Sequence, residues 1–176
     1  MSKPIERRQS SIHGSGVFAT AAIAKGAKIV RYKGQVRTHA EVDEAYANDD
    51  ETGHTFLFSL NDEFVIDANV DGNVARWINH SCRPNCEAVQ QENAKGKVAK
   101  DKVHIHALRD IAAGEELSYC YGIVLDEPYT AALKTLWACR CGSSACTGTL
   151  LQPKAKAKPA PAKKKGAVKR KKAAAK

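Results

Sequence analysis

Residues 72–85 of this chain read GNVARWINHSCRPN, a short apolar run with polar side chains crowded around it. Asn73 is typical of a residue that caps a helix, so residues 73–78 are expected to form one or two helical turns. Such a helix would deliver Asn79 and His80 at its C-terminal end. Polar groups packed against an apolar segment are costly unless they bond to one another or to a ligand, which predicts a functional site here.

Four of the six cysteines suggest a metal site. Cys82 lies in the block just described, whereas Cys139, Cys141 and Cys146 fall within eight residues of one another, far along the chain. Four soft ligands from two segments suit a closed tetrahedral zinc site. In a reducing compartment, metal ligands or free thiols are more common than disulfides, but the spacing alone leaves a secreted disulfide-bonded protein as an alternative. Taken alone, Cys82 is also typical of a free core thiol.

The positive charge of the chain is concentrated at one end. Residues 152–176 contain eleven of the 28 Lys and Arg and none of the 19 Asp and Glu, so residues 1–151 carry 17 basic and 19 acidic groups. A segment of mostly Lys, Ala and Pro buries too little apolar surface to fold, so we expect a disordered basic tail. Such a polycation would bind DNA without sequence preference, and a solubilising or targeting tail is the alternative.

The sequence also indicates a class of protein and a compartment. The first eight residues lack the apolar stretch of a secretory signal, and no segment reaches the ~18 apolar residues of a membrane span. We therefore expect a soluble, intracellular protein that makes no membrane contact. A chain of 176 residues suits one folded domain with a small appendage.

Short strands joined by tight turns are expected over most of the chain. A surface helix is expected from His39 to Asn48, because the stretch is rich in Ala and Glu, with a break over residues 48–53. His104 and His106 alternate with apolar residues, which predicts solvated strand positions on one face rather than ligands. The expected strands lie within residues 12–36, 55–58, 64–67, 103–107 and 116–122.

Two glycines one residue apart, Gly14 and Gly16, follow His13. Because glycine has no Cβ, such a pair lets the backbone pass close to a charged or bulky ligand. A simple turn between strands is an equally good interpretation. The dinucleotide-binding fingerprint is excluded, because it needs a third glycine and a following helix.

Together these segments resemble the SET-domain protein lysine methyltransferases, and the resemblance covers most of residues 9–150. The family's features occur in the family's order. Three positions depart from the family's pattern: Arg31 and Gln35 stand where acidic residues are usual, and Cys120 stands where Asp is common. The matching segments are the Gly14-x-Gly16 turn, Tyr32-Lys33-Gly34, residues 72–85, residues 114–117 leading to Tyr121, and the cluster from Cys139 to Gly148.

The resemblance implies a mainly β (α+β) fold of small curved sheets and short helices, with a C-terminal pseudoknot and a zinc-bound post-SET segment. In this fold the Asn79-His80 segment forms a loop through which the strand of residues 116–121 passes. The implied organisation is an N-terminal arm (1–8), a SET domain (9–123), a connector (124–134), a post-SET zinc segment (135–151) and the basic tail (152–176).

The resemblance also implies roles for individual residues. Tyr121 would be catalytic, with Tyr119 and Tyr32 lining the lysine channel. Tyrosine rather than phenylalanine at the Tyr119 position tends to go with the addition of a single methyl group. S-adenosylmethionine would be held by His13, Gly14, Ser15, Gly16, Arg76, Asn79 and His80, and one structural zinc ion by Cys82, Cys139, Cys141 and Cys146.

The function that the resemblance implies is S-adenosylmethionine-dependent lysine N-methylation of histone or histone-like basic proteins, with mono-methylation favoured. The tail would keep the enzyme on the chromosome, in the nucleus of a eukaryote or the nucleoid of a bacterium. The alternative is a catalytically weak SET scaffold that binds DNA through its tail. The presence of Tyr32, Tyr119 and Tyr121 together with Asn79 and His80 favours the enzyme.

Overall fold

A computed structural model describes residues 4–48, 55–125 and 127–154, and within them ten short strands dominate, as the mainly β prediction requires. The strands are Ile5–Gln9 (β1), Ser15–Ala19 (β2), Lys28–Tyr32 (β3), Gln35–Thr38 (β4), Leu57–Ser59 (β5), Phe64–Asp67 (β6), Asn79–His80 (β7), Cys86–Gln91 (β8), Lys102–Ala107 (β9) and Glu116–Tyr119 (β10). The helices are His39–Ala45 (α1) and Ala131–Leu136 (α2), with single 3-10 turns at Val74–Trp77 and Val98–Lys100.

The strands form three small sheets, ordered β1-β2-β10-β7, β3-β9-β8 and β4-β6-β5. Their inward faces supply the core, and β9 shows how the sequence sets this direction. Its alternation buries Val103 and Ile105 and places His104 and His106 on the opposite face, as predicted, but the two histidines are half-buried rather than solvated.

The helix expected from His39 is present as α1, although it ends at Ala45. Thr38 starts it with a reciprocal cap, in which the Thr38 hydroxyl accepts from the Glu41 N–H and the Glu41 carboxylate accepts from the Thr38 N–H. The expected break after Asn48 falls mainly on residues 49–54, outside the described residues.

The capping role predicted for Asn73 is wrong. Asn73 precedes the 3-10 turn but makes no side-chain cap bond. Its Nδ2 instead donates to the Arg31 carbonyl (2.8 Å) and its Oδ1 accepts from the Lys33 N–H (3.2 Å), so both ends of the amide are used to hold the end of β3. Hydrogen bonds to residues far away in the sequence thus replace the local capping bond.

The pairing of β10 with β7 brings distant parts of the sequence together. These two strands run parallel, with Ser118 opposite Asn79 and Tyr119 opposite His80. Parallel neighbours need a long connection, and here β8 and β9 lie between them in the chain. The arrangement is what the expected pseudoknot requires of these two segments.

Asn85 supports this pairing from a buried position. Its Nδ2 donates to the Glu116 carbonyl (2.8 Å) and the Glu115 carboxylate (3.0 Å), and its Oδ1 accepts from the Ser118 N–H (2.8 Å). One side chain therefore satisfies three polar groups around β10.

Residues 155–176, which include most of the expected basic tail, lie outside the described residues. In the part of the chain that is described, none of the helices has the length and apolar character needed to cross a membrane.

Asn85→Ala should lower the free energy of unfolding by about 3 kcal/mol, because three partners around β10 lose a hydrogen bond in a buried setting. Urea unfolding monitored by circular dichroism measures this. Gln91→Ala, an exposed amide at the end of β8, is the matched control and should change stability by less than about 0.5 kcal/mol. Equal stability of the two variants would contradict the role of Asn85.

Candidate functional site

Four aromatic rings from separate elements line one cleft. Tyr32 of β3 lies 5.2 Å from Phe58 of β5, Phe58 lies 6.2 Å from Tyr119 of β10, and Tyr119 lies 5.0 Å from Tyr121, all between ring centroids. All four rings line the same depression, which we call the aromatic cleft. The three tyrosines singled out in the sequence are thus brought together. Phe58 was interpreted only as a strand residue, because nothing in its local sequence marks it.

The tyrosine hydroxyls are neutral donors. Burial, followed by the negative charge of Glu116, raises the pKa of Tyr121, and burial likewise raises the pKa values of Tyr32 and Tyr119. Tyr121 donates to the Ile78 carbonyl (2.9 Å), which leaves its oxygen lone pairs to face the cleft. Within the described residues, the Tyr119 hydroxyl has no hydrogen-bond partner.

Tyr121 lies beyond the strand that was expected to contain it. The strand β10 ends at Tyr119, and the Tyr121 N–H donates to Nδ1 of His80 (3.1 Å) instead of to a neighbouring strand. The two rings also pack edge-on at 5.4 Å. Tyr119 and Tyr121 nevertheless line the same cleft, and a side chain of β7 holds the second tyrosine in place.

The Gly14-x-Gly16 turn is held by Asn79. The Asn79 Nδ2 lies within 3.4 Å of four acceptors, among them the Ser15 carbonyl (3.0 Å) and the Glu116 carboxylate (2.8 Å). Gly14 has a positive φ of 44°, as a tight turn favours. A Cβ at Gly16 would collide with the Glu116 carboxylate, so the close approach at Gly16 is made by this protein's own side chain.

Glu116 belongs to the site, although the sequence predicted it only as a strand residue. Its carboxylate also accepts from the Ser10 hydroxyl (2.8 Å), so it connects the start of the turn to β10. The only signal for Glu116 in the sequence was an acidic residue at the start of a strand whose other residues are buried. Nothing in the sequence marked Ser10 as part of the site.

A second cleft, which we call the turn cleft, lies beside the Gly14-x-Gly16 turn. Gly16 does not line it and is buried. Tyr121 and Arg76 each line both the turn cleft and the aromatic cleft, so the two clefts meet at these two residues. Of the residues expected to hold the cofactor, those that line the turn cleft are His13, Gly14, Ser15, Arg76, Asn79 and His80.

Arg76 has a donor that no protein group uses. Its guanidinium stacks between Phe56 (4.4 Å) and Trp77 (4.6 Å), and Nη1 donates to the Ala68 carbonyl (2.8 Å). Its Nε is buried and has no partner in the described part of the chain. An unsatisfied buried donor is costly, so a ligand acceptor at this nitrogen would be stabilising.

The four cysteines expected to bind zinc do come together. Their sulfurs all lie within 4.8 Å of one another, with 3.8 Å between Cys82 and Cys139. A tetrahedral ion with bonds of ~2.3 Å would place sulfurs ~3.8 Å apart, whereas a disulfide needs ~2.05 Å. All six cysteines are free, and Cys86 and Cys120 lie outside the cluster, as expected. The cluster could hold a metal ion.

Backbone donors reach two sulfurs of this cluster. The Thr147 N–H donates to Cys82 Sγ (3.5 Å) and the Gly148 N–H to Cys146 Sγ (3.4 Å). For Cys141, burial acts to raise the pKa, but hydrogen bonds from the backbone of Cys82 and Ser143 outweigh it and lower the pKa to about 6, whereas burial raises the pKa of Cys139. Thiolates are the form that binds metal.

His80 connects the cysteine cluster to Tyr121. Because its Nδ1 accepts from the Tyr121 N–H, a neutral ring carries its proton on Nε2, which lies 3.5 Å from Cys82 Sγ. Burial lowers the pKa of His80, which favours the neutral ring. Both ring nitrogens thus have partners within the protein.

This chain belongs to the SET-domain family, whose sequence profile matches residues 14–122. It is also similar to large fungal proteins named histone-lysine N-methyltransferase, H3 lysine-4 specific. Identity is 40% with the Neurospora crassa protein, 36% with that of Candida albicans and 36% with that of Saccharomyces cerevisiae, each over 84% of this chain. The chain spans only 11%, 14% and 13% of the respective lengths of these relatives.

We expect one metal ion per chain in freshly purified, reduced protein, measured by elemental analysis. Cys139→Ser should remove most of it, because the substitution deletes one of four ligands, and Cys86→Ala should leave it unchanged. Since the ligands must be deprotonated, metal content should also fall as the pH is lowered. A metal-free wild type, or a fully loaded Cys139→Ser variant, would contradict the site.

Proposed function

We propose that this chain is an S-adenosylmethionine-dependent protein lysine N-methyltransferase that modifies histone H3 or a similarly basic, DNA-associated protein. The observation that carries the proposal is the position of Tyr121 where the turn cleft and the aromatic cleft meet. In-line transfer between two bound molecules needs them to approach one point from opposite sides, and two clefts that share Tyr121 suit that geometry. The names of the fungal relatives support the substrate class.

The residues of the turn cleft fit S-adenosylmethionine. When bound, this cofactor supplies an electrophilic methyl group. Arg76 offers an unpartnered buried Nε to an anionic group, and the open space around Gly14 lets a ligand lie against the backbone. The residues that would hold it are His13, Gly14, Ser15, Arg76, Asn79 and His80. Gly16 would support the turn from its buried side.

The aromatic cleft prepares the lysine amine. In water the ammonium has a pKa of ~10.4 and is almost fully protonated at neutral pH. Enclosure by the rings of Tyr32, Phe58 and Tyr119 would disfavour the charged form by desolvation. Because the raised pKa values keep the hydroxyls neutral, no phenolate stabilises the ammonium, and its proton can leave to water.

Tyr121 acts by orientation rather than as a base. Its hydroxyl donates a hydrogen bond to the Ile78 carbonyl, so only the oxygen lone pairs can face the reacting atoms. Those lone pairs can accept from the amine and make weak contacts with polarised C–H groups. The raised pKa of Tyr121 argues against a phenolate that would remove a proton.

Addition of a single methyl group is favoured by Tyr119. Its hydroxyl has no partner within the described residues, so a water molecule could bond to it inside the aromatic cleft. That water would occupy the space that a methylated amine needs in order to turn for a second transfer. A ring without the hydroxyl would release this space.

The cysteine cluster would hold one structural zinc ion through Cys82, Cys139, Cys141 and Cys146. Cys139 also lines the turn cleft, so a metal there would support one wall of it. A bridge between Ile123 and Leu151 joins the last described residues to the body, and a bridge between Ala138 and Thr149 closes the cysteine-containing segment on itself. The proposed division is an arm (1–8), SET domain (9–123), connector (124–134), post-SET segment (135–151) and tail (152–176). Within the proposed arm, Ile5 to Arg8 pair with β2.

The tail would tether the enzyme to chromatin. Its eleven basic residues suit non-specific binding to DNA phosphates and raise the local concentration of DNA-bound substrate. The competing proposal, a weak scaffold that only binds DNA, has no observation in its favour at the clefts. Methyl transfer from labelled cofactor to histone H3 separates the two.

Tyr121→Phe should lower the rate of methyl transfer by on the order of a hundredfold, the scale for one lost transition-state contact, while cofactor binding is retained. Radiolabel transfer to a histone H3 peptide and calorimetric titration of the cofactor measure the two quantities. Tyr129→Phe removes the same atom outside both clefts and should behave as wild type. Wild-type turnover in Tyr121→Phe would exclude Tyr121 from the mechanism.

A chain ending at Lys154 should bind duplex DNA at least tenfold more weakly and with a shallower salt dependence, since ten of the eleven tail cations are removed. Methylation of a free H3 peptide should be unchanged, because both clefts are retained. Fluorescence anisotropy with labelled DNA measures the binding. Undiminished binding by the shortened chain would contradict the tether.

A further inference from the structure

The nearly neutral body has one surface on which its positive charge is collected. We call it the basic face: the outer side of the β3-β9-β8 sheet together with the β8–β9 connection. Among its residues only Glu87 and Glu92 are exposed acids, since Asp101 is buried and accepts bonds from Asn61 and Asn93. The fixed cations of the basic face are Lys28, Arg31, Lys95, Lys97, Lys100 and Lys102.

Strand register places these charges side by side. Arg31 pairs with His104 and Lys28 with His106, and paired residues of antiparallel strands project to the same face. Lys102 precedes His104 by two residues, a separation of ~7 Å along the strand. The result is a patch of like charge that continues into the lysines of the connection.

These cations are not neutralised within the body. The described residues contain three ion pairs, and none of them involves a residue of the basic face. After burial, the positive charges of Lys28 and Arg31 are the next causes of the lowered pKa of His104, which reflects mutual repulsion. The basic face holds six of the 17 basic groups of residues 1–151 but only three of the 19 acidic groups, counting the buried Asp101 with Glu87 and Glu92. The charge is segregated.

We propose that the basic face is a second DNA-binding surface, separate from the tail, that takes the phosphate backbone of duplex DNA. A group of cations spread over a sheet and the adjoining connection complements a polymer with one charge per nucleotide, whereas an isolated carboxylate would satisfy only one of them. The sheet side of the face presents no Phe, Tyr or Trp ring among Lys28, Arg31, Glu87, Val89, Gln91, Lys102, His104 and His106, so unpaired bases would have no such ring to stack on.

The choice of DNA rests on the proposed function, because histone substrates are carried on duplex DNA. Neither Lys28 nor Lys102 lines the turn cleft or the aromatic cleft. The basic face would therefore orient the body on DNA without taking part in methyl transfer.

The test uses the full chain and measures the dependence of DNA affinity on salt. Lys28→Ala/Lys102→Ala should lower the slope of log K against log salt by about two and weaken binding roughly tenfold, since each phosphate contact contributes ~0.9 to the slope. Lys28→Arg/Lys102→Arg keeps the charges and should restore both values. Arg83→Ala/Lys134→Ala removes two exposed cations from other surfaces and should change the slope by much less.

Three results would overturn the proposal: an unchanged slope in Lys28→Ala/Lys102→Ala, an equal fall in Arg83→Ala/Lys134→Ala, or an equal loss of binding to poly-glutamate, which would assign the face to acidic peptides. Methylation of a free H3 peptide by Lys28→Ala/Lys102→Ala should match wild type. That assay needs no DNA. An inactive wild type would therefore contradict the proposed function, whereas the measured DNA binding would remain valid.

Discussion

The parallel pairing of β10 with β7 is the constraint on which the site depends. It sets Tyr119 beside His80 and places Glu116 where Asn79 and Ser10 can bond to it. A two-residue strand such as β7 forms too few ladder bonds to hold by itself, so buried side chains supply the remainder, above all Asn85. The pairing, the turn and the tyrosines thus form one connected structure.

Polar groups at this site are used mainly to hold one another. Asn79 bonds to the turn, both nitrogens of His80 have partners in the protein, and Gly16 makes room for Glu116. Arg76 is different, because its buried Nε has no partner in the described residues. The contrast separates residues whose polar groups are satisfied within the protein from one with a buried donor that still lacks an acceptor in the described residues.

No cation of the basic face lines the aromatic cleft. The aromatic cleft contains neutral phenols whose pKa values are raised by burial, a setting that disfavours an ammonium ion. One cation, Arg76, does line this cleft, whereas six cations lie on the basic face and eleven in the sequence beyond residue 151. Attraction to a polyanion can therefore act largely through groups that lie outside the clefts.

The sequence by itself determined the local elements and the ligand types. Alternation predicted β9, the stretches 55–58 and 64–67 predicted β5 and β6, and four thiols predicted a metal cluster, because these depend on neighbours or on side-chain chemistry. Motif resemblance predicted which distant residues belong together, including the tyrosines. Only the tertiary structure decided that Asn73 bonds to β3 rather than capping, that Tyr121 is held by His80, and that Phe58 and Glu116 join the site. Those outcomes depend on contacts between residues far apart in the chain, which no local pattern encodes.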